Sequence, residues 1–343
     1  MQLDERKRRI LQAIVQDYIA TAEPVSSRAI CRRYNLGVSP ATVRNEMADL
    51  EEMGYIEQPH TSAGRIPSDK GYRYYVDWLM EDRELDQAEK ATIRAWYAKR
   101  MKEIEEIVSL TTQLLSRITN YTAMMLEPRL DGGKFKYLRL IPLAPTRALL
   151  LVVSTSGMVE HQLVEFSTSI NPEDLERLSN ELTDCVRGKS IQEIIGGNLS
   201  ELQLQVTRQR QVLGEVLKLL KEALIDSQEE KVYLGGTSNI LAQPEFKRAD
   251  RLEALFGLFE DENHLRYLLR EASDNQITVR IGEENLFDVI HDCSIVTATY
   301  RIGGRTVGTL GVLGPTRMQY SRVLPAVRYT TSVLSETLTE LFG

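Results

Sequence analysis

The stretch Ser39-Pro-Ala-Thr-Val-Arg-Asn-Glu-Met-Ala-Asp-Leu-Glu51 decides how the first part of this chain is read. A serine side chain accepts from the first free amides of a helix, and proline at the first helical position has no amide to lose, so a helix is expected to begin here. Gly54 would end it, because a residue without Cβ enters the left-handed region at little cost. Val43, Met47 and Leu50 recur at i, i+4 and i+7 and would pack inward, whereas Ala41, Arg44, Asn45 and Ala48 fall on the other side of the wheel. That outer edge suits a DNA groove. Arginine bonds bidentately to guanine, asparagine to adenine, and small alanines let the helix approach base edges. Glu46, Asp49, Glu51 and Glu52 crowd the later turns, so only the N-terminal part, with Ser39, Thr42, Arg44 and Asn45, is fit to face DNA.

Upstream, Asp4 can cap a helix in which Ile10, Leu11, Ile14, Val15, Tyr18 and Ile19 form one apolar stripe, closed by Pro24. Ser26 then caps a short basic helix, Ser27 to Tyr34, carrying Arg28, Arg32 and Arg33 and stopping at Asn35-Leu36-Gly37. Two short helices joined by about four residues that include a glycine form the helix-turn-helix arrangement. An ordinary three-helix bundle with solvated arginines fits the same pattern. Downstream, Tyr55 to Gln58 alternates like a strand, Pro59 to Ala63 is a polar tip, and Gly64-Arg65-Ile66-Pro67 returns as a second strand, which together make a wing. His60, Thr61, Ser62 and Arg65 would stay outside, offering donors to phosphates and minor-groove edges. Ser68 caps a further helix with Tyr72, Tyr75, Val76 and Leu79 inward, and Lys70 and Arg73 add a second basic patch to the first.

Ser39 to Glu51, followed by Pro59-His-Thr-Ser-Ala-Gly-Arg-Ile-Pro67 and Asp69-Lys-Gly-Tyr-Arg73, closely resembles the HrcA family of bacterial heat-inducible transcription repressors. The likeness is strongest over residues 1–80. Pro24-Val-Ser-Ser-Arg-Ala-Ile30 departs from the family pattern only at capping and packing positions. The resemblance implies an operator of the CIRCE type upstream of chaperone operons, and a repressor kept active by the GroE chaperonin. It also implies a GAF-like domain interrupted by an inserted dimerising domain.

The 343 residues carry a net charge of −7, yet residues 1–80 hold 11 Lys and Arg against 11 Asp and Glu, leaving the rest with 31 against 38. The acidity lies outside the block that would meet DNA. The longest apolar run, Ala148 to Val153, is far short of the roughly 18 to 20 residues that cross a bilayer, so no membrane association is expected. The N-terminus turns charged at once without an export signal, so a cytoplasmic protein is expected. Cys31, Cys185 and Cys293 are odd in number and widely spaced, which argues against disulfides and a zinc cluster and for buried thiols.

Leu85 to Glu127 is long, helix-favouring and free of glycine and proline, and reads as one helix or two. Asp131-Gly132-Gly133 opens three strands, Tyr137 to Leu143, Arg147 to Ser154 and Met158 to Phe166, an antiparallel meander followed by helical patterns at Pro172 to Val186 and Ser200 to Asp226. Later come strands at Gln276 to Ile281, Ser294 to Ile302 and Arg305 to Leu313, the last two joined by Gly303-Gly304, and a final helix beginning near Tyr320. A sheet with a terminal helix and Gly308-Thr-Leu-Gly-Val-Leu-Gly-Pro315 as its last strand looks like a GAF domain.

The expected class is therefore multidomain α+β: a winged helix-turn-helix at 1–80, a linker helix and the start of a GAF-like domain at 81–130, an inserted dimerising domain at 131–228 and the rest of the GAF-like domain at 229–343. Two copies would dock on the half-sites of an inverted repeat in double-stranded DNA. Arg28, Arg32, Arg33, Lys70 and Arg73 would anchor phosphates, Thr42, Arg44 and Asn45 would read bases, and the wing residues would touch the groove. Catalysis, a metal and a cofactor are not expected: Gly308, Gly311 and Gly314 lack dinucleotide-site spacing, and His291-Asp292-Cys293 diverge on any regular element. Two rivals share the DNA-binding part: a metabolite-sensing regulator, although no residue marks a ligand pocket, and an enzyme with an accessory DNA-binding domain, which would need a reactive cluster the sequence does not offer.

Overall fold

Helix α1 (Glu5–Thr21) starts where Asp4 accepts from the Lys7 amide at 2.8 Å, and it buries Ile10, Leu11, Ile14 and Val15 completely. Burying each such side chain contributes roughly 1.5–3 kcal/mol. Helix α2 (Ser27–Arg33) is capped by Ser26 and α3 (Pro40–Glu52) by Ser39. Gly54, at φ +76°, closes α3 as expected of glycine, whereas α2 ends earlier than expected, at an extended Tyr34, and Gly37, at φ +67°, turns the chain three residues beyond it. Strands β1 (Ile56–Glu57) and β2 (Ile66–Pro67) pair antiparallel, Ile56 opposite Pro67. A third segment, not foreseen, joins them: Val25 and Arg65 exchange backbone hydrogen bonds of 2.8 Å in both directions. Gly64 permits this approach, since a Cβ there would lie 2.5 Å from the Val25 carbonyl oxygen. Ser68 caps α4 (Asp69–Tyr74), which runs on as a π turn through Tyr75–Leu79.

The computed structural model describes residues 3–60, 63–81, 83–98, 103–128, 134–155, 159–167, 169–190, 193–194, 230–270 and 277–342. Two compact units emerge: Met1–Glu127 with Val232–Arg301 and Gly308–Thr337, and Pro128–Lys231 with Ile302–Val307 and Leu338–Gly343.

In the first unit, the stretch read as one or two helices from Leu85 to Glu127 is α5 (Gln87–Tyr97), α6 (Ile104–Thr119) and then a strand, β3 (Thr122–Leu126). Asn120, at φ +61°, ends α6, and all five residues of β3 are buried. A short continuous apolar run has the same look in a buried strand and a buried helix, and here the neighbours on both sides decide it. The sheet order is β7-β3-β10-β9-β8, with β7 (Val232–Gly235), β8 (Thr278–Ile281), β9 (Cys293–Ile302) and β10 (Arg305–Pro315). Gly303 and Gly304, both at positive φ, turn β9 into β10. Helices α8 (Ala249–Glu260) and α9 (Glu262–Arg270) pack Leu255, Leu265 and Leu268 against Met124, Ile295 and Leu313 of the sheet. Helix α10 (Tyr320–Phe342) closes the chain.

In the second unit, β4 (Phe135–Ala144), β5 (Arg147–Ser154) and β6 (Val159–Glu165) form the expected meander. Helix α7 (Pro172–Val186), capped by Asn171, lays Leu178 and Leu182 on Leu138, Leu150 and Val152. Thr183 locks this packing, its hydroxyl donating to the Leu138 carbonyl and accepting from the Leu138 amide. The helix expected at Ser200 to Asp226, the Asp131-Gly132-Gly133 opening and residue Gln276 lie outside the described residues.

Candidate nucleic-acid interface

Helix α3 sorts its side chains cleanly. Val43 and Leu50 are fully buried and Met47 nearly so, while Ala41, Arg44, Asn45 and Ala48 are exposed. Ser39 accepts from the Thr42 amide at 3.2 Å and its hydroxyl lies 3.0 Å from that of Thr42, so the two hydroxyls at the start of the helix restrain each other. Among the described residues, the guanidiniums of Arg28, Arg32 and Arg44 and the amide of Asn45 have no side-chain partner, and all four residues are exposed. These groups sit on α2 and the first turns of α3, which pack together. Unpaired, exposed guanidiniums carry no competing partner to release before they meet phosphate.

The remaining cations on the expected list are engaged within the chain. Arg33 pairs with Asp17 of α1, which raises the guanidinium pKa further. Arg65 donates to Glu51 at 2.9 Å, tying the wing to the end of α3. Lys70 donates to the Met53 carbonyl at 2.7 Å and stands 4.5 Å over the Tyr55 ring. Arg73 holds Glu284, with Asp77 and the Val279 carbonyl as further partners. His60 is exposed at the wing, and Thr61 and Ser62 lie outside the described residues.

Lys7 and Arg6, absent from the expected set, prove important for this edge. The Lys7 ammonium, its side chain only 13% exposed, meets Glu46 at 2.8 Å and Asp49 at 3.0 Å, while Arg6 reaches Glu46 at 3.2 Å. The acid bonds hold Lys7 protonated well above its ordinary range, the Glu46 bond first among them. Glu46 and Asp49 of α3 are thereby paired and clamped to α1, which offsets two of the four acids in its later turns. The only sequence signal was the run Arg6-Lys7-Arg8-Arg9 near a helix start, which does not name its partner.

Cys293 is fully buried, and burial pushes its thiol up, away from the thiolate a nucleophile needs. No cluster of three His, Cys, Asp or Glu side chains suited to a metal ion occurs among the described residues, and no helix there is long and apolar enough to cross a membrane.

Three helices, a hairpin joined at Val25 by a third segment, and a free cationic edge in one chain with a five-stranded sheet are the equipment of a transcription regulator. Residues 105–324 match the family model described as the HrcA protein C-terminal domain. A heat-inducible transcription repressor HrcA from Pelotomaculum thermopropionicum is 47% identical over 98% of this chain and 97% of its own length, and one from Moorella thermoacetica is 44% identical over all of both. The chain belongs to the HrcA family of heat-inducible transcription repressors. A solved structure titled only as a hypothetical protein shares the fold, with a TM-score of 0.70 at 26% identity, covering 99% of this chain and 100% of that one.

Proposed function

We propose that this chain represses heat-shock operons by binding, as a homodimer, an inverted-repeat operator of the CIRCE type in double-stranded DNA. Residues 1–80 act as a winged helix-turn-helix. The observation that carries this is the unpaired, exposed state of Arg44 and Asn45 at the start of a helix whose other face is buried. Arg28 and Arg32 anchor phosphates, Ser39, Thr42, Arg44 and Asn45 face the groove, and His60, Thr61 and Ser62 approach from the wing. Arg33, Arg65, Lys70 and Arg73 hold these surfaces in place through their internal partners, and any phosphate contact they make is shared with that task.

Residues 229–343 with 81–130 form the GAF-like domain, and 131–228 the inserted dimerising domain. Exposed Ile141, Leu143, Val159 and Leu163 on the meander support the latter, since an apolar sheet face turned to water favours association. The protein works in the cytoplasm, without catalysis, and the GroE chaperonin sustains its active population. A gel shift with the inverted repeat and a scrambled duplex, repeated across salt, tests the DNA reading. Affinity is expected to fall steeply with ionic strength while the preference for the repeat persists. Equal binding of both duplexes at every salt concentration would remove the repressor assignment. Added chaperonin is expected to raise the fraction of active protein in the same assay, and no gain would count against the GroE part.

A further inference from the structure

An open cleft of about 420 Å³ lies inside the first unit, walled by α1, by residues 83–89 and by the first turns of α10. Two guanidiniums, Arg83 and Arg322, line it, and among the described residues neither has a hydrogen bond or an ion pair. Free arginines facing one concavity match the fork geometry of a phosphoryl group. The rest of the lining is suited to hydroxyls. Ser321 and Gln319 offer donors and acceptors, and Glu84 and Glu89 offer carboxylates. Pro325, itself in the wall, has no amide to give the Ser321 carbonyl four residues earlier in the helix. Both carboxylates already have a neighbour: Glu84 pairs with Lys90 at 2.7 Å and Glu89 accepts from the Asp86 amide at 3.1 Å. Lys90 offsets Glu84, so the lining is left with two guanidiniums against the single carboxylate of Glu89, an excess of positive charge.

We propose that this cleft binds a small phosphorylated molecule bearing hydroxyl groups, a sugar phosphate in chemical class. Its position gives binding a consequence. Gln16, Ile19 and Tyr75 of the wall belong to the segment assigned to DNA, and α1 is the helix whose Lys7 clamps Glu46 and Asp49 of α3. A guest held by Arg83 and Arg322 braces α1 against α10, so occupancy and DNA binding are linked and each favours or opposes the other by the same factor. That linkage rests on the DNA-binding reading of residues 1–80; the binding itself does not.

Calorimetric titration of the full chain without DNA, using ribose 5-phosphate, inorganic phosphate and ribose, tests the site. Ribose 5-phosphate is expected to bind at least tenfold tighter than inorganic phosphate, and ribose to give no heat. The variant Arg83→Gln with Arg322→Gln, two exposed and unpaired positions, is expected to weaken ribose 5-phosphate at least tenfold with the melting temperature of the free protein unchanged. Arg322→Glu provides a second check and should abolish binding by charge reversal. No heat with any probe, equal affinity for the sugar phosphate and inorganic phosphate, or unaltered binding in the variants overturns the proposal. Loss of DNA affinity in the double variant of a chain that binds no sugar phosphate also overturns it and assigns the two arginines to the DNA backbone. A chain that binds ribose 5-phosphate yet ignores DNA keeps the cleft and sinks the repressor reading instead.

Discussion

The guanidinium of Arg73 grips both carboxylate oxygens of Glu284, 211 positions away in sequence, with Nε at 2.8 Å from Oε1. The same side chain bonds the Val279 carbonyl and, at 3.2 Å, Asp77, so α4 is fastened to the end of β8. Removing it takes the charged donor from the Glu284 carboxylate, which keeps only the Ile281 amide at 2.8 Å, and one donor from the Val279 carbonyl. Arg73→Ala is expected to lower the unfolding free energy by about 1–3 kcal/mol, discounted toward the lower end because both partners are about a third exposed. Arg73→Lys should not restore it, since an ammonium cannot fork across two oxygens. Urea denaturation measures both, and an unchanged midpoint in Arg73→Ala would mean the clasp contributes nothing.

Arg44→Ala should cost about 1–3 kcal/mol of operator binding and relax the base preference at one position. Arg28→Ala and Arg32→Ala should instead weaken all duplexes alike and reduce the salt slope by about 1 each. Titrations by fluorescence anisotropy at several salt concentrations separate the two patterns. If Arg44→Ala behaved like Arg28→Ala, α3 would be a phosphate-binding helix and not a reading one.

Asp69 introduces a pH dependence. Burial raises its carboxyl above the usual value, and the charges of Glu283 and Glu284 push the same way, while the Glu283 amide, donating at 2.9 Å, opposes them. The folded chain therefore keeps this proton to higher pH than the unfolded chain. Stability contributed here is present below the unfolded carboxylate range, is lost as pH rises through the folded pKa, and stays lost at neutrality. Asp69→Asn keeps an acceptor for the Glu283 amide and sheds the buried charge. Its melting temperature is expected to exceed that of the parent at pH 7, with the gap shrinking toward pH 4. A variant less stable than the parent at pH 7 would show that the charge stabilises the turn.

Ile141 and Leu163 face each other across the meander through Leu149, and both are exposed. Ile141→Asp with Leu163→Asp should shift sedimentation equilibrium toward monomer, while melting of the unit falls little, because neither side chain belongs to the core under α7. An unaltered dimer would move the interface elsewhere.

Sequence alone determined the local units. The caps at Asp4, Ser26, Ser39 and Ser68, the glycine stop at Gly54, the wing strands and α7 all depend on contacts within a few residues, which the order of amino acids carries directly. It also carried the division of α3 into a buried and an exposed face, because helical periodicity is local. Tertiary structure decided which exposed arginines stay free. Arg28 and Arg33 look alike as letters, but Asp17 lies beside one of them only after α1 folds back on α2. The strand at Thr122–Leu126 likewise became a strand because β7 and β10 supply its hydrogen bonds on either side. Both outcomes turn on groups far apart along the chain, whose meeting is set by the packing of the core.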